Sequence, residues 1–322
     1  MGEKHTSANY IFGKESVLPE KEKRAVSRAI KEVFDQKLFQ EYLPKEREKT
    51  KDELRIISFA DDITDELAEH YGGSKLTIPA ENIHIVPREE FGRNHSSDAY
   101  YNANLQAVIM VEHKSMSFFA SEIIHEMIHF KSWGSFRASE KEQNFLQHRV
   151  GVQVLAVEEL VASSSSENPE KTFHYYFQAL NEALTEELTK RLFHEHDVRI
   201  VSPEENLQTK ELFARYGEND EIVAGSIERK GDLMSRHRVE FSYKSERQML
   251  NRMIDSLYER NQDTFANREE IFDLFARWMF SKSSSGIGKL VDTTFGPGTF
   301  RRLAQVPSRD IEKQEEFLVS LQ

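Results

Sequence analysis

The chain has 322 residues, a formal net charge of −12 and no cysteine. This length is enough for one large domain or two lobes with a buried core. The acidic balance argues against a nucleic-acid partner, because binding to phosphate backbones depends on clustered Lys and Arg. Without cysteine there can be no disulfide, thiolate ligand or cysteine nucleophile, so any bound metal needs nitrogen and oxygen ligands.

The N-terminal sequence MGEKHTSANY lacks the apolar core of a signal peptide, and no later stretch has the apolar length of a membrane helix. We therefore expect a cytoplasmic protein with no membrane span. Gly2 and Thr6 match the loose pattern for N-myristoylation, but no polybasic second anchor follows them. A lipid anchor is accordingly not expected.

The N-terminal third mixes helical and strand patterns. Apolar residues at helical spacing predict a surface helix over residues 20–42, and the charged segment LPKEREKTKDE predicts a loop after it. LRIISFA, residues 54–60, has a strand-like pattern, and a short helix is expected near 62–71. After the Gly72-Gly73 break, NIHIVP is a second predicted strand. The expected class is therefore α+β.

The central segment predicts a strand followed by a buried helix. In NLQAVIMVE, residues 104–112, the alternating pattern is typical of a strand with one buried face. Ser117 can cap the helix that follows, FFASEIIHEMIHFKSW, which is expected to end at Gly134. HRVGVQVLAV, residues 148–157, favours a strand or hairpin arm, although a helix through VLAVEELVA is an alternative.

The C-terminal half is predicted to be mainly helical. A serine-rich loop at 163–171 precedes a helix from Thr172 to about His194. Beyond residue 200 we expect mostly helices, separated in the last part by breaks at SSSGIG and FGPGTF. Their expected positions are 204–216, 244–260, 267–280 and 310–320.

The buried helix contains the motif HEMIH. Residues four apart share a helix face, so His125 and His129 can bind one ion at about 2.0–2.1 Å. Glu126 lies one step around the helix, where it can act on water as a general base rather than bind the metal. The alternative is a pair of core histidines hydrogen-bonded to carbonyls, with Glu126 at the surface. A third ligand is the test between these interpretations.

A second motif supplies that candidate. LNEALTEELT contains Asn181, Glu182, Thr185 and Glu186, so two carboxylates lie four apart on one helix face. One carboxylate can bind metal while the other holds a histidine. A catalytic zinc keeps three protein ligands and one open position, which two histidines and one glutamate would provide.

H-E-x-x-H followed by N-E-x-x-[ST]-[DE] resembles the gluzincins, the thermolysin-like zinc peptidases. The resemblance covers the region from the strand at 104 to the end of the Glu182 helix. It implies that His125, His129 and Glu182 are zinc ligands and that Glu126 is the general base and acid. It also implies that Glu186 and Asn181 are outer-shell residues. The segment 130–181 is much longer than in thermolysin, so an insertion must pack between the two helices.

The resemblance also implies a peptide-binding strand and an oxyanion donor. In zincins a strand before the motif helix lies at a sheet edge, where a peptide can add through main-chain hydrogen bonds. Residues 104–112 occupy this place, with an ordinary interior strand as the alternative. Gluzincins use a Tyr or His from the C-terminal lobe as the donor, so Tyr243 is our candidate. His237 and Tyr175 are alternatives, and Tyr175 would lie two helical turns before Glu182.

Three other motifs carry less weight. His194 and His196 are two residues apart, which points them in different directions on a helix, so we do not expect a metal site there. SSSGIGKL lacks the first Gly of a phosphate loop and the Ser or Thr after Lys289, so it is expected to be a flexible loop. FGPGTF is expected to be a turn.

Together these patterns predict an α+β, zincin-like zinc metallopeptidase that acts on a peptide or protein substrate. The expected lobes are residues 1–134 and a mainly helical 135–322, with a cleft between them. An endopeptidase is favoured, because we find no signature for gripping a free amine. The alternatives are a zincin-fold peptide-binding or regulatory protein without proteolytic activity, and a hydrolase of another carbonyl substrate.

Overall fold

The computed structural model describes residues 44–91, 98–102, 107–113, 115–138, 145–159, 171–200, 203–216, 220–230, 233–282 and 286–322. The predicted helix at 20–42 and the Gly2 pattern lie outside these residues, as does the serine run itself. Within them the chain is α+β, which confirms the predicted class. In the described ranges no helix combines the length and the apolarity that crossing a bilayer would need.

The chain divides into two compact units, each built from separated stretches. The first unit contains the described residues up to His70, then Ser74–Lys131 and Thr185–Ser242. The second unit contains Tyr71–Gly73, Ser132–Leu184 and Tyr243–Gln322. The boundary at residue 185 falls inside a single long helix, α3, which spans Gln178–Ile200.

The first helix, α1, spans Lys51–His70 and replaces the strand and short helix predicted for this stretch. The prediction of a strand at LRIISFA is therefore wrong. The helix starts with a capping box, because Thr50 Oγ1 accepts from the Glu53 amide at 3.2 Å and the Glu53 carboxylate accepts from the Thr50 amide at 2.7 Å. Ile56, Ile57 and Ala60 belong to one buried helix face, which explains the apolar run.

A three-stranded sheet lies in the first unit, with strand order β1-β3-β2. The strands are β1 (Ile83–Val86), β2 (Ala99–Asn102) and β3 (Ala107–Val111). β1 confirms the strand predicted at NIHIVP, and β3 confirms the strand within 104–112. However, β3 pairs with β1 on one side and β2 on the other, so the prediction that it is an edge strand is wrong.

Helix α2, Met116–Lys131, follows β3 and carries the HEMIH motif. It confirms the predicted buried helix, although it ends before Gly134. Its N-terminus is capped by Glu205, whose carboxylate accepts from the amides of Met116 and Ser117 at 2.8 and 3.0 Å. At the other end, the buried Lys131 ammonium pairs with two α1 carboxylates, Asp61 and Asp65.

The insertion between α2 and α3 forms a four-stranded antiparallel sheet in the second unit, with order β4-β5-β6-β7. The strands are β4 (Gly134–Ala138), β5 (Phe145–Val150), β6 (Gln153–Glu159) and β7 (Lys171–Tyr176). β5 and β6 confirm the predicted hairpin arm and exclude the alternative helix. The helix expected from Thr172 starts only at Gln178, because β7 occupies the residues before it.

The rest of the chain is less purely helical than predicted. The first unit adds helix α4 (Pro203–Tyr216) and a hairpin of β8 (Ile222–Lys230) and β9 (Leu233–Glu240), which the sequence patterns did not indicate. The second unit adds five helices within its described residues: α5 (Lys244–Arg260), α6 (Arg268–Phe280), α7 (Ile287–Phe295), α8 (Thr299–Ala304) and α9 (Ile311–Val319). α4, α5, α6 and α9 confirm the four predicted positions, and Gly296 and Gly298 form the expected turn with positive φ.

Candidate metal centre

Three side chains from helices α2 and α3 converge as the two motifs predicted. One ligand atom from each of His125, His129 and Glu182 lies within 4.8 Å of the others. The Nε2 atoms of the two histidines are 3.1 Å apart. Two nitrogen ligands at about 2.0–2.1 Å from a tetrahedral ion would be separated by about 3.3 Å, so this spacing suits a shared cation.

The first histidine is oriented by a carboxylate. His125 Nδ1 lies 2.6 Å from Oε2 of Glu186, which is itself buried. A carboxylate accepts hydrogen bonds, so Nδ1 carries the proton and the Nε2 lone pair is left for a ligand bond. The other carboxylate oxygen of Glu186 accepts a hydrogen bond from the backbone amide of Ser242. Glu186 is thus held at both oxygens, which fixes the ring of His125.

The second histidine has a weaker contact on its far side. His129 Nδ1 lies 3.5 Å from Oγ1 of Thr185, at the limit of a hydrogen bond. Thr185 is fully buried, and its carbonyl accepts from the hydroxyl of Thr189 at 2.9 Å. Glu182, Thr185 and Glu186 therefore present one face of α3 to the two histidines of α2, as three- and four-residue spacing requires.

Glu126 is 5% exposed, which excludes the alternative that placed it at the surface. Another carboxyl of α2 lies close by, since Glu122 precedes Glu126 by one helical turn. Burial raises the pKa of the half-buried Glu122 to about 8, and the negative charges of Glu186 and Glu126 add to this effect against the opposing influence of His125. Glu122 therefore binds a proton more readily than an exposed glutamate would.

Asn181, predicted as an outer-shell residue, has a defined contact. Its Oδ1 accepts a hydrogen bond from the backbone amide of Val152 at 3.0 Å, and its side chain is almost fully buried. Val152 lies in the turn between β5 and β6. Asn181 therefore connects the first turns of α3 to the inserted sheet.

The three candidates for the oxyanion donor have different outcomes. Tyr243 occupies the N-cap position of α5 with a left-handed φ of 51°, and the Arg309 guanidinium lies 5.5 Å from its ring centre. Since the preceding Ser242 binds Glu186, this segment is linked to the site, and the role of Tyr243 stays a prediction. Tyr175 is 53% exposed on β7, so its predicted position on the Glu182 helix is wrong. His237 lies on β9, and its side chain is outside the described part of the structure.

Neither histidine at the end of α3 joins a ligand group within the described residues. His194 Nε2 lies 2.7 Å from the carbonyl oxygen of Asp220, and the ring of His196 packs edge-on against Phe59 at 5.6 Å. These contacts are those of ordinary structural histidines.

Several residues that support the site were not predicted. Glu122 could have been found, because it lies one helical turn before the motif. The contributions of Glu205, Ser242 and the Val152 turn could not, because each depends on a contact between segments that are distant in the chain. A backbone amide is a donor in almost any residue, so no residue type marks it in advance.

The chain was compared with known proteins at three levels. No protein-family model matches it. No curated protein and no solved structure matches it either. The resemblance to gluzincins therefore rests on the two motifs and on the group that they form.

Proposed function

We propose that this protein is a zinc-dependent metallopeptidase with a zincin-like fold. The observation that carries the proposal is the convergence of His125, His129 and Glu182, whose ligand atoms lie within 4.8 Å of one another. Two imidazoles and one carboxylate are the ligand set of many catalytic zinc sites, which keep a fourth position open. The contact of 2.6 Å between His125 and Glu186 adds the outer-shell carboxylate that such sites commonly have.

The proposed chemistry divides between the metal and the chain. When bound, Zn²⁺ would supply Lewis acidity, which acidifies water and polarises a carbonyl group. Glu126 accepts the proton of the attacking water and then delivers it to the leaving nitrogen. Its burial on α2 keeps the carboxylate next to the histidines and away from competing solvent contacts. Glu186 holds the first histidine in one tautomer throughout, because its own two oxygens are both engaged.

A peptide substrate is supported by an outer strand beside the histidine helix. β2 is antiparallel to β3 and lies at one edge of the described three-stranded sheet. Tyr101 of β2 packs edge-on against Phe130 of α2 at 5.7 Å, so this strand runs next to the helix that carries the ligands. We assign to β2 the peptide-binding role that the sequence had suggested for β3. Endopeptidase specificity and a cytoplasmic location remain part of the proposal.

Metal content tests the ligand set directly. The full chain is loaded with Zn²⁺, desalted and measured by elemental mass spectrometry, together with Glu182→Ala and the control Glu187→Ala. Glu187 lies on the same helix and pairs with Arg191 at 3.4 Å, so its loss removes a carboxylate without removing a proposed ligand. We expect about one zinc per chain in the wild type and the control, and little in Glu182→Ala. A wild type that binds no zinc would rule out the proposed function.

Activity tests the role of Glu126. On a mixed peptide library analysed by mass spectrometry, we expect the wild type to cleave internal peptide bonds. Glu126→Gln should keep its zinc and lose activity by about 10²–10⁴-fold, which is what general acid–base catalysis contributes. A zinc-loaded wild type that binds peptides without cleaving them would instead favour the peptide-binding or regulatory protein. Unchanged cleavage by Glu126→Gln would contradict the proposed mechanism.

A further inference from the structure

The third ligand is placed by different contacts from the two histidines. Glu182 lies in the second turn of α3, and Asn181 directly precedes it. The helix begins after Phe177, whose amide donates to the Ala304 carbonyl at 2.7 Å and whose carbonyl accepts from the Asn181 amide at 2.9 Å. Helix N-termini fray unless their polar groups find partners, so the position of Glu182 depends on what holds this end.

The side chain of Asn181 supplies the second attachment. Its Oδ1 accepts from the Val152 amide at 3.0 Å, although the two residues are 29 positions apart in the chain. The adjacent Gly151 has a left-handed φ of 56°, and a Cβ at this position would collide with Asn181 Oδ1. Only glycine therefore lets the turn approach the asparagine this closely.

The turn is itself anchored to a helix end. The Gly151 amide donates to the Trp133 carbonyl at 2.9 Å, and its carbonyl accepts from Arg149 Nε at 2.6 Å. The same guanidinium donates to three carbonyls at the C-terminal end of α6, those of Trp278, Ser281 and Lys282, at 2.7–3.0 Å. The buried Arg149 therefore both caps the C-terminal end of α6 and holds the Gly151–Val152 turn in place.

Arg149 is suited to this task because its donors form a rigid fork. The guanidinium also lies over the ring of Trp133, 4.7 Å from its centre, so a cation–π contact helps to hold the group in place. Burial lowers the pKa of Arg149 to about 10, which still leaves the group charged at neutral pH. Lysine could not replace it, because a single ammonium cannot reach several carbonyls in a fixed plane.

We propose that Arg149, the Gly151–Val152 turn and Asn181 form a positioning device that orders the N-terminal turns of α3 and so places Glu182 for metal binding. The proposal adds a positioning role to the metal site, and it rests on the proposed function. Asn181 does not touch the metal in this scheme; it acts through the helix turn that it shares with the ligand. Because this turn is ordered in advance, the chain need not order it when the metal binds.

The test compares zinc affinity with overall stability in the full chain. The dissociation constant for Zn²⁺ is measured by competition with a chromophoric chelator, and stability by urea unfolding of the metal-free protein. The variants are Asn181→Ala, Asn181→Asp and the control Gln314→Ala. Gln314 is a similarly buried amide in the same unit, and it donates to the Pro307 carbonyl at 3.3 Å.

We expect Asn181→Ala to weaken zinc binding by about 10–100-fold, the usual cost of losing an outer-shell partner. Asn181→Asp keeps an acceptor oxygen for the Val152 amide and should stay within about 3-fold of the wild type. Gln314→Ala should lower the urea midpoint and leave zinc affinity unchanged. Arg149→Lys should weaken zinc binding in the same direction by a smaller factor.

Suppose that Glu182→Ala loses its zinc but Asn181→Ala binds zinc as tightly as the wild type. This result would overturn the positioning role and leave the proposed function intact. A wild type that binds no zinc would overturn both. Equal losses of affinity in Asn181→Ala and Gln314→Ala would also overturn it, because the effect would then be general destabilisation. If Asn181→Ala does not fold, Asn181→Ser carries the same test with a shorter polar side chain.

Discussion

The helix that carries the two histidines and the helix turn that carries Glu182 are both buried, but they differ in the contacts that connect them to distant segments. Nearly every residue of α2 from Phe119 to Lys131 is buried, so apolar packing places the histidine pair. The start of α3 is buried as well, and two hydrogen bonds to distant backbone groups add to its packing: Asn181 Oδ1 accepts from the Val152 amide, and the Phe177 amide donates to the Ala304 carbonyl. Loss of a large buried side chain leaves a cavity, whereas loss of a hydrogen bond removes a directional contact. We therefore expect damage to the first region to unfold the protein and damage to the second to weaken metal binding.

The largest expected effect is on the packed helix. Phe119 is fully buried on α2, and Phe119→Ala should lower the free energy of unfolding by about 3–5 kcal/mol, because it removes a large apolar group and leaves a cavity. The measurement is urea unfolding of the metal-free chain. The fraction that stays folded should keep near-wild-type zinc affinity, and a selective loss of affinity would contradict the proposed difference between the two regions.

The next largest effect is expected from the ion pair at the C-terminal end of the same helix. The Lys131 ammonium is fully buried and lies 2.8 and 2.7 Å from Asp61 and Asp65. Lys131→Met should destabilise the protein by about 3 kcal/mol at neutral pH, because two carboxylates then remain without their cation. Urea unfolding of the variant with Asp61→Asn and Asp65→Asn added should recover most of this loss. No recovery would show that packing of the lysine stem, rather than charge, is responsible.

A pH-dependent effect is expected from a histidine next to the packed helix. Burial lowers the pKa of His113 from 6.5 to about 4, while nearby Asp98 opposes the shift. Because the unfolded chain then takes up the proton first, stability is present above pH 6.5 and is lost as the pH falls toward 4. At about pH 5 the loss should reach roughly 2 kcal/mol.

His113→Phe removes the titrating group and keeps an aromatic ring, since the ring of His113 already packs edge-on against Phe118 at 4.6 Å. Unfolding free energies of the two proteins, measured from neutral pH to about pH 5, should diverge as the pH falls. Parallel curves would mean that another group causes any acid sensitivity.

The smallest effect is expected at the second histidine. Thr185→Val removes the hydroxyl that lies 3.5 Å from His129 Nδ1, and zinc affinity should fall only about 2–5-fold, because the contact is long. Thr189→Val is the control, since its hydroxyl is equally buried but donates to a helix carbonyl. Chelator competition distinguishes them. A loss as large as that of Asn181→Ala would mean that hydrogen bonds place the histidine pair as well.

Prediction from the sequence succeeded where residue spacing identified a helix face, and it failed where a short pattern fits more than one structure. The helical spacing of His125 and His129, and that of Glu182 and Glu186, indicated both halves of the site. The strand predicted at LRIISFA is wrong because a short apolar run fits either structure, and the capping box of Thr50 and Glu53 favours the helix. The β8–β9 hairpin was missed because its pattern does not stand out from the surrounding helices.

Residue types and helical spacing were enough to identify the atoms that could bind a metal, since they place two imidazoles on one helix face and two carboxylates on another. Three further features emerged from the folded chain alone: the two helix faces meet, β3 is an interior strand, and Asn181 connects the Glu182 turn to the inserted sheet. These features depend on backbone groups and strand neighbours far apart in the chain, and residue type does not mark them because every residue but proline carries the same backbone donor and acceptor.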